Sequence, residues 1–343
     1  MSEEWSQTPR QAIALAEAAS RSERWQEARE AYRTAIRLAQ GIDEDSAACA
    51  DALRGSANVR IRLGEWQEGA RDLAESRWIA ERMMDERRVA QAENARGALE
   101  FERGNWDDAE RRYAEARTHA GAIEDVSLLM RIENNEGALW AARGERRRAE
   151  DHFRRALKYF DETRQDPCGA RAMNNLGMVL TEEGRWDEAE ELFEGALVDC
   201  KRRGDLALGA TVMINQARLA LKMDDPLRAH TLATTAGAFA DRMGDVPLAA
   251  DASCLLGAVA RAAQRSFEAE RYLSEALRRS AEGRAPMAEA ETWEELGRLR
   301  ADEGRNEEAA EALRQARRCW LALGSRIEAL RMESQSRALV AEA

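Results

Sequence analysis

The residue types that perform most enzyme chemistry are scarce in this chain and lie far apart. None of the three histidines (His119, His152 and His230) shares a short motif with a cysteine or an aspartate. The five cysteines never form a Cys-x-x-Cys pair (Cys49, Cys168, Cys200, Cys254 and Cys319). Because neither a nucleophile–base pair nor a metal-ligand spacing is present, we expect no enzyme activity, no metal and no organic cofactor.

Acidic doublets are the other groups with chemical potential. Asp107-Asp108 and Asp187-Glu188 are two examples of such doublets. Each lies in the first turn of an expected helix, where a carboxylate interacts favourably with the positive end of the helix dipole. We therefore interpret the doublets as helix-start signals and not as metal ligands. The sequence also lacks the glycine-rich motifs that bind nucleotide phosphates.

Asparagine is the polar residue with the most regular spacing. Two series have an interval of 40 residues, and Asn58 lies outside them (Asn94, Asn134 and Asn174; Asn135, Asn175 and Asn215). Four arginines are expected on the same face (Arg54, Arg131, Arg171 and Arg218). An amide both donates to and accepts from a peptide backbone, and arginine binds carboxylates. These residues are therefore candidates for contacts with a polypeptide. Alternatively, the amides hydrogen-bond neighbouring helices.

The same interval extends along almost the whole chain. Segments of the form Trp-x-x-small begin at four tryptophans, and steps of about 40 residues reach four further positions (Trp25, Trp66, Trp106 and Trp186; Arg146, Pro226, Ser266 and Asn306). We call these eight positions anchors. A small residue is found nine positions before each anchor and again three and ten positions after it. The residue seven positions after the anchor is usually large. Around Trp186 these residues are Gly177, Ala189, Ala196 and the large Phe193.

This spacing predicts two helices per repeat, with each anchor opening the second helix. The small residues allow the two helices to approach closely, and the large one fills the space between neighbouring repeats. Several glycines before anchors are expected to take a positive φ (Gly64, Gly104, Gly144, Gly184 and Gly304). The pairs Gly204-Asp205 and Gly244-Asp245 predict a helix stop followed by a helix start, and Thr8 to Gln11 reads as a capping box.

The pattern resembles the tetratricopeptide repeat. The closest match runs from Ala172-Met173-Asn174-Asn175-Leu176-Gly177 to Gly184-Arg185-Trp186-Asp187-Glu188-Ala189. The usual period of that family is 34 residues. A period of 40 is similar to the repeats of kinesin light chain, the LGN/Pins adaptors and bacterial Rap-type regulators. The resemblance implies an all-α solenoid, a superhelix whose concave surface is lined by first helices, where asparagines of this kind clamp an extended peptide.

We therefore expect eight repeats over residues 8–323 in a single array, followed by a capping helix over residues 325–343. The net charge of −12, from 52 basic and 64 acidic residues, disfavours a nucleic-acid partner. The acidic N-terminus lacks the pattern of a signal peptide, and no run of 18 apolar residues is found, so neither a membrane span nor secretion is expected. With its dispersed cysteines, the chain is expected to be cytoplasmic.

The function that follows is interaction without catalysis. We expect an adaptor that binds a peptide or protein segment in the concave groove, centred on repeats three to six. The alternative is a Rap-like regulator that senses a short peptide and changes its hold on a second protein. The two hypotheses differ in the size of the ligand and in whether a conformational switch is required.

Overall fold

The computed structural model describes residues 8–21, 24–40, 46–63, 65–163, 168–283, 285–323 and 325–341. Within these ranges all regular structure is helical, and no helix has an apolar stretch long enough to cross a bilayer. The helices are α1 (Pro9–Arg21), α2 (Trp25–Gln40), α3 (Ser46–Arg62), α4 (Trp66–Arg82), α5 (Glu86–Glu102), α6 (Trp106–Ala122), α7 (Val126–Ala142), α8 (Arg146–Thr163), α9 (Cys168–Glu183), α10 (Trp186–Arg203), α11 (Leu206–Lys222), α12 (Pro226–Met243), α13 (Val246–Ala262), α14 (Ser266–Gly283), α15 (Pro286–Asp302), α16 (Asn306–Ala322) and α17 (Arg326–Ala341).

The helices alternate as eight pairs followed by α17, which is the arrangement of an all-α solenoid. We call the odd-numbered helices α1 to α15 the A helices and the even-numbered helices α2 to α16 the B helices. Each of the eight anchors is the first residue of a B helix, including the four that are not tryptophan. The prediction that Arg146, Pro226, Ser266 and Asn306 open second helices is therefore confirmed.

The chain forms two compact units, Met1–Leu139 (unit 1) and Trp140–Ala343 (unit 2). In unit 1 the buried rings of Tyr32 and Tyr113 lie in separate apolar clusters. In unit 2 the clusters consist mainly of alanine and leucine, and Leu273 is one of their fully buried members. The C-terminal helix α17 buries Met332 against α16, so the last B helix has an apolar neighbour.

The close approach of the two helices in several repeats depends on one small and one large residue. A Cβ atom on Gly97 would lie 2.5 Å from Cε1 of Tyr113, and one on Gly177 would lie 2.7 Å from Cε1 of Phe193. The same contact recurs between glycine and leucine in repeats seven and eight (Gly257 with Leu273 and Gly297 with Leu313). Tyr113 also shares a cluster with residues of the next A helix, α7. The large residue therefore packs within its own repeat as well as between repeats.

Among the described residues, the turns between the two helices of a repeat follow the glycine pattern with two exceptions. Gly104, Gly144, Gly184 and Gly304 have φ between 73° and 78°, as expected, and Gly64 lies outside the described residues. Asp224 and Gln264 take the same left-handed conformation in repeats six and seven, with φ of 60° and 57°. A residue with a Cβ atom is less stable there by about 1 kcal/mol. The turn geometry is thus preserved even where glycine is missing.

Side-chain caps fix several helix starts. Thr8 N donates to Gln11 Oε1 at 2.9 Å and Gln11 N donates to Thr8 Oγ1 at 3.3 Å, which confirms the capping box before α1. Asp205 and Asp245 each accept a hydrogen bond from a backbone N–H three residues later at 3.0 Å. Both follow a glycine with positive φ, so the predicted stop–start pairs are confirmed.

The small-to-large contact can be tested in repeat five. We expect Gly177→Ala to lower the free energy of unfolding by about 1–3 kcal/mol, because the added methyl group overlaps the Phe193 ring. Gly209→Ala is the control, since its Cβ would meet Cys200 Cβ at an ordinary 3.7 Å. Urea unfolding followed by circular dichroism measures both. Equal stability of the two variants would contradict the packing account.

Candidate functional site

A groove of about 940 Å³ lies within unit 2. Its walls come from the A helices α9, α11, α13 and α15. The turn after α7 and the first turns of α17 form its ends, where the side chain of Ile327 lies 3.0 Å from the position of a Cβ on Gly144. The residues eight before successive anchors line it in register (Met178, Arg218, Ala258 and Arg298). One face of each of these four A helices is therefore directed into the groove.

Most charged groups of the groove are paired with one another. Arg218 Nη2 lies 2.5 Å from Glu291 Oε2, so this ion pair joins α11 to α15 past the intervening α13. Glu295 pairs with Arg261 at 3.1 Å. Glu294 is 4% exposed and contacts both Arg298 and Arg331. Because the pairs neutralise one another, the groove has no strong preference for a ligand of one sign.

Asp251 on α13 is the exception among the carboxylates around the groove. It is half-buried and makes no hydrogen bond or ion pair with a described residue. Burial and the neighbouring charge of Glu291 raise the pKa of its carboxyl group to about 7, while Arg218 opposes the shift. Asp251 lies one helical turn before Cys254, which lines the groove. A group with this pKa changes its charge near neutral pH.

Two further polar groups of the groove have hydrogen-bonding capacity to spare. Asn215 Nδ2 donates to Asn174 Oδ1 at 2.9 Å, which leaves one amide hydrogen for another acceptor. Trp320 is 8% exposed, and its indole Nε1–H has no acceptor among the described residues. A buried donor without an acceptor is unfavourable, and because the Nε1 atom is itself closed to solvent, a ligand oxygen would reach it only after the side chain moves.

The asparagine series link neighbouring A helices. Asn135 Nδ2 donates to Asn94 Oδ1 at 2.9 Å, joining α5 to α7, and the bond from Asn215 to Asn174 joins α9 to α11. Asn174 also donates to Asn175 at 3.3 Å. Hydrogen bonding between neighbouring helices was the alternative interpretation from the sequence. It therefore accounts for some of the hydrogen bonds that these amides can form.

The remaining candidates differ in exposure. Asn134 is buried, whereas Asn58 and Arg171 are exposed, and Arg54 and Arg131 are half-buried in unit 1. Of the eleven sequence candidates, only Asn215 and Arg218 line the unit 2 groove. The groove is thus formed mainly by residues that the sequence analysis did not select.

The groove residues that the sequence did not single out occupy the same positions relative to their anchor as sequence candidates in other repeats. Glu291, Glu295 and Arg298 stand 15, 11 and 8 residues before the anchor Asn306. Arg171 stands 15 before its own anchor, and Arg218 stands 8 before its own. Following each register position through all repeats, without regard to residue type, would have found the charged groups of repeats seven and eight.

Comparison with known sequences identifies the repeat type. Residues 13–81 and residues 170–240 each match a model described as tetratricopeptide repeat. No curated protein matches the sequence.

Solved structures with a similar fold include two Rap proteins. The Rap conjugation gene regulator of the plasmid pLS20, in complex with the Phr* peptide, has a TM-score of 0.67 and 16% identity over 80% of this chain and 74% of that one. A Rap protein complexed with Competence and Sporulation Factor has a TM-score of 0.63 and 13% identity over 97% and 98% of the two chains. The signal transduction ATPase with a tetratricopeptide repeat sensor from Pyrococcus horikoshii has a TM-score of 0.59 and 14% identity, over 97% of this chain and 50% of that one.

These findings agree with the helix pairs and their spacing. Two segments of the chain match the tetratricopeptide repeat, and the fold of the helical array is similar to that of Rap proteins.

The charge of Asp251 gives a pH prediction. Its pKa of about 7 in the folded protein exceeds the ordinary 3.8, so the folded state holds the proton more tightly and stability falls as pH rises through this interval. We expect Asp251→Asn to raise the free energy of unfolding at pH 8 by about 1 kcal/mol or more, and much less at pH 4.5. Urea unfolding at both pH values measures the difference.

Glu270→Gln is the control for the change in net charge, because Glu270 is exposed. An effect of Asp251→Asn that is the same at pH 4.5 and pH 8 would show that this carboxyl group has an ordinary pKa.

Proposed function

We propose that this protein is a non-enzymatic interaction scaffold that binds a segment of a partner protein in the unit 2 groove. The observation that carries the proposal is the groove itself, whose volume of about 940 Å³ lies at the upper end of the range for ligand sites. It is lined in register by successive A helices, so a polypeptide lying along it would meet the same side-chain positions again at each repeat.

The proposed contacts are made by polar groups of the groove that can still form hydrogen bonds or exchange their ion-pair partner. Asn215 would bond the backbone of the segment with the amide hydrogen that Asn174 leaves free. Arg218 would exchange its partner Glu291 for a carboxylate of the ligand, or release Glu291 to bind a cationic group. Arg171, Asn174 and Asn175 on α9 are proposed as further contacts. No residue in this set pairs a nucleophile with a base, which is why the proposal is non-enzymatic.

A second candidate is a regulator that senses a short peptide. The similarity in fold to Rap proteins, two of them solved with Phr* peptide or with Competence and Sporulation Factor, favours it. In that case a short peptide would occupy the groove, and the hold on a second protein would change with it. The two functions share the groove and differ in the length of its occupant.

Filling the groove without removing a contact tests the proposal. Ala262 is an exposed residue of α13 that lines the groove, so Ala262→Trp should block a bound segment while leaving the fold unchanged. Ala238, an exposed residue of the B helix α12, provides the matched control Ala238→Trp. Each tagged protein is used to capture partners from a lysate of the native host, followed by quantitative mass spectrometry.

We expect a partner that wild type and Ala238→Trp capture equally, and that Ala262→Trp captures at least tenfold less, equivalent to about 1.4 kcal/mol of binding free energy. Melting temperatures of the three proteins should agree within a few degrees. A partner that Ala262→Trp retains in full would place the interaction outside the groove.

A further inference from the structure

The B helix α8 begins with a cluster of positive charge in an acidic protein. Seven basic and three acidic residues lie between Trp140 and Lys158, whereas the whole chain has a net charge of −12. Three of the basic residues are consecutive and exposed in the first turn of α8 (Arg146, Arg147 and Arg148). Positive charge is unfavourable there, because the free N–H groups at a helix start already carry partial positive charge. This turn therefore lowers the stability of its own helix.

The other B helices carry the opposite charge in the same place. The residue two after the anchor is a carboxylate in six of the eight repeats (Glu27, Glu68, Asp108, Glu188, Glu268 and Glu308). Some of these pair with the arginine that precedes the anchor, as Glu188 does with Arg185 at 2.7 Å. Arg228 stands at this position in α12 and forms an ion pair with Glu190. In the part of the chain that the structure describes, Arg148 is thus the one residue at this position with a positive charge and no carboxylate partner.

Trp140 restrains the side chain of Arg148. The guanidinium carbon of Arg148 lies over the indole at 4.5 Å from the ring centroid, and that of Arg143 lies at 4.9 Å. A cation–π contact of this kind orients a guanidinium and supplies no oxygen acceptor to its N–H groups. Arg148 makes no hydrogen bond or ion pair with a described residue, so its donors remain available to a ligand. We call Arg146, Arg147 and Arg148, with Trp140 beneath them, the basic patch.

The carboxylates nearest in sequence do not use the donors of the basic patch. Glu145 directly precedes α8, and Asp151 lies one helical turn after Arg147. Both are exposed, and neither forms an ion pair with a residue in the described ranges. Arg147 is exposed and has no ion pair there either. Arg147 and Arg148 are therefore neighbouring cations whose hydrogen-bonding capacity is not consumed within the protein.

We propose that the basic patch binds an acidic segment of a partner protein, with carboxylates of Asp or Glu side chains on Arg147 and Arg148. A planar guanidinium matches a carboxylate through two parallel hydrogen bonds. Bound carboxylates would also relieve the unfavourable positive charge at the start of α8.

The charge of the rest of the chain favours a polypeptide over a nucleic acid as the occupant. A nucleic acid needs an extended basic surface that neutralises a run of phosphates. The basic patch is one helical turn long, and a chain with a net charge of −12 would repel a long polyanion around it. A short acidic segment needs only the local charge, because exposed charges further away than about 10 Å are largely screened at ordinary ionic strength.

The basic patch lies beside the unit 2 groove and does not depend on it. Arg146 lines the groove and lies 4.0 Å from Glu182, whereas Arg147 and Arg148 are not among the lining residues. The two proposals can therefore be tested with different variants.

Three fluorescein-labelled probes identify the ligand class in anisotropy titrations with the full-length protein. They are C-amidated hexaglutamate, the neutral C-amidated hexaglutamine, and hexadeoxythymidylate. At low salt the protein should bind hexaglutamate more tightly than hexadeoxythymidylate and should not bind hexaglutamine. The affinity for hexaglutamate should fall several-fold when salt is raised, because the contacts are between exposed charges.

Variants test whether the basic patch is the site. The double change Arg147→Gln with Arg148→Gln should weaken hexaglutamate binding at least tenfold. Arg314→Gln with Arg318→Gln is the matched control, because it removes the same charge from two exposed arginines of the B helix α16 that have partners in the protein. This control should bind hexaglutamate as wild type does.

Charge reversal separates binding from folding. Arg147→Glu with Arg148→Glu gives α8 the kind of charge that Asp187-Glu188 give α10. This variant should melt at or above the temperature of wild type, because acidic residues stabilise a helix start, and it should lose hexaglutamate binding. A clearly lower melting temperature would show that the arginines are structural and would overturn the assignment.

Absence of hexaglutamate binding, tighter binding of hexadeoxythymidylate, or unchanged binding by the charge-reversed variant would each overturn the proposal as well. Ala262→Trp should bind hexaglutamate as wild type does, and a loss would place the peptide in the groove instead. If Ala262→Trp keeps all its partners while the variants of α8 lose hexaglutamate, the groove proposal fails and this one stands.

Discussion

The contact between a small residue in the A helix and a large residue in the B helix is the constraint on which the rest of the molecule depends. At Gly97 and Gly177 the ring of the B helix occupies the space that a Cβ would need. This sets the separation and the rotation of the two helices. Because the rotation is fixed, the opposite face of each A helix is fixed as well, and the residues 15, 11 and 8 before each anchor are directed away from the B helix.

That face carries the polar chemistry. In unit 2 it forms a groove whose ion pairs join distant helices, as Arg218 and Glu291 do. Nearby, Asp251 and the indole of Trp320 have no hydrogen-bond partner among the described residues. In unit 1 it carries two half-buried arginines, Arg54 and Arg131, of which Arg54 lies 3.8 Å from Asp51. Buried polar groups without a hydrogen-bond partner destabilise the free protein. Such groups are often found at functional sites, because a ligand can provide the missing partner.

The sequence was sufficient to predict the helix pairs, because helix starts and tight approaches are local and recur at each anchor. Pro226 and Asn306 could be placed by spacing alone, without a tryptophan. The roles of the asparagines could not be deduced in the same way. Periodicity places Asn94 and Asn215 on an A helix face, but an amide there can reach a neighbouring helix or a ligand, and both bond a neighbour. Pairs such as Arg218 and Glu291 are 73 residues apart and follow only from how successive A helices pack.

Site-specific photo-crosslinking in the native host tests the central claim most directly. A photoreactive phenylalanine derivative is placed either at Met178, an exposed residue of the groove wall on α9, or at Val198, an exposed residue of the paired B helix α10. If the groove face of the A helices in unit 2 binds a polypeptide, irradiation should give a discrete crosslinked species from position 178 and none from position 198. A crosslink from position 198 with none from position 178 would contradict the account.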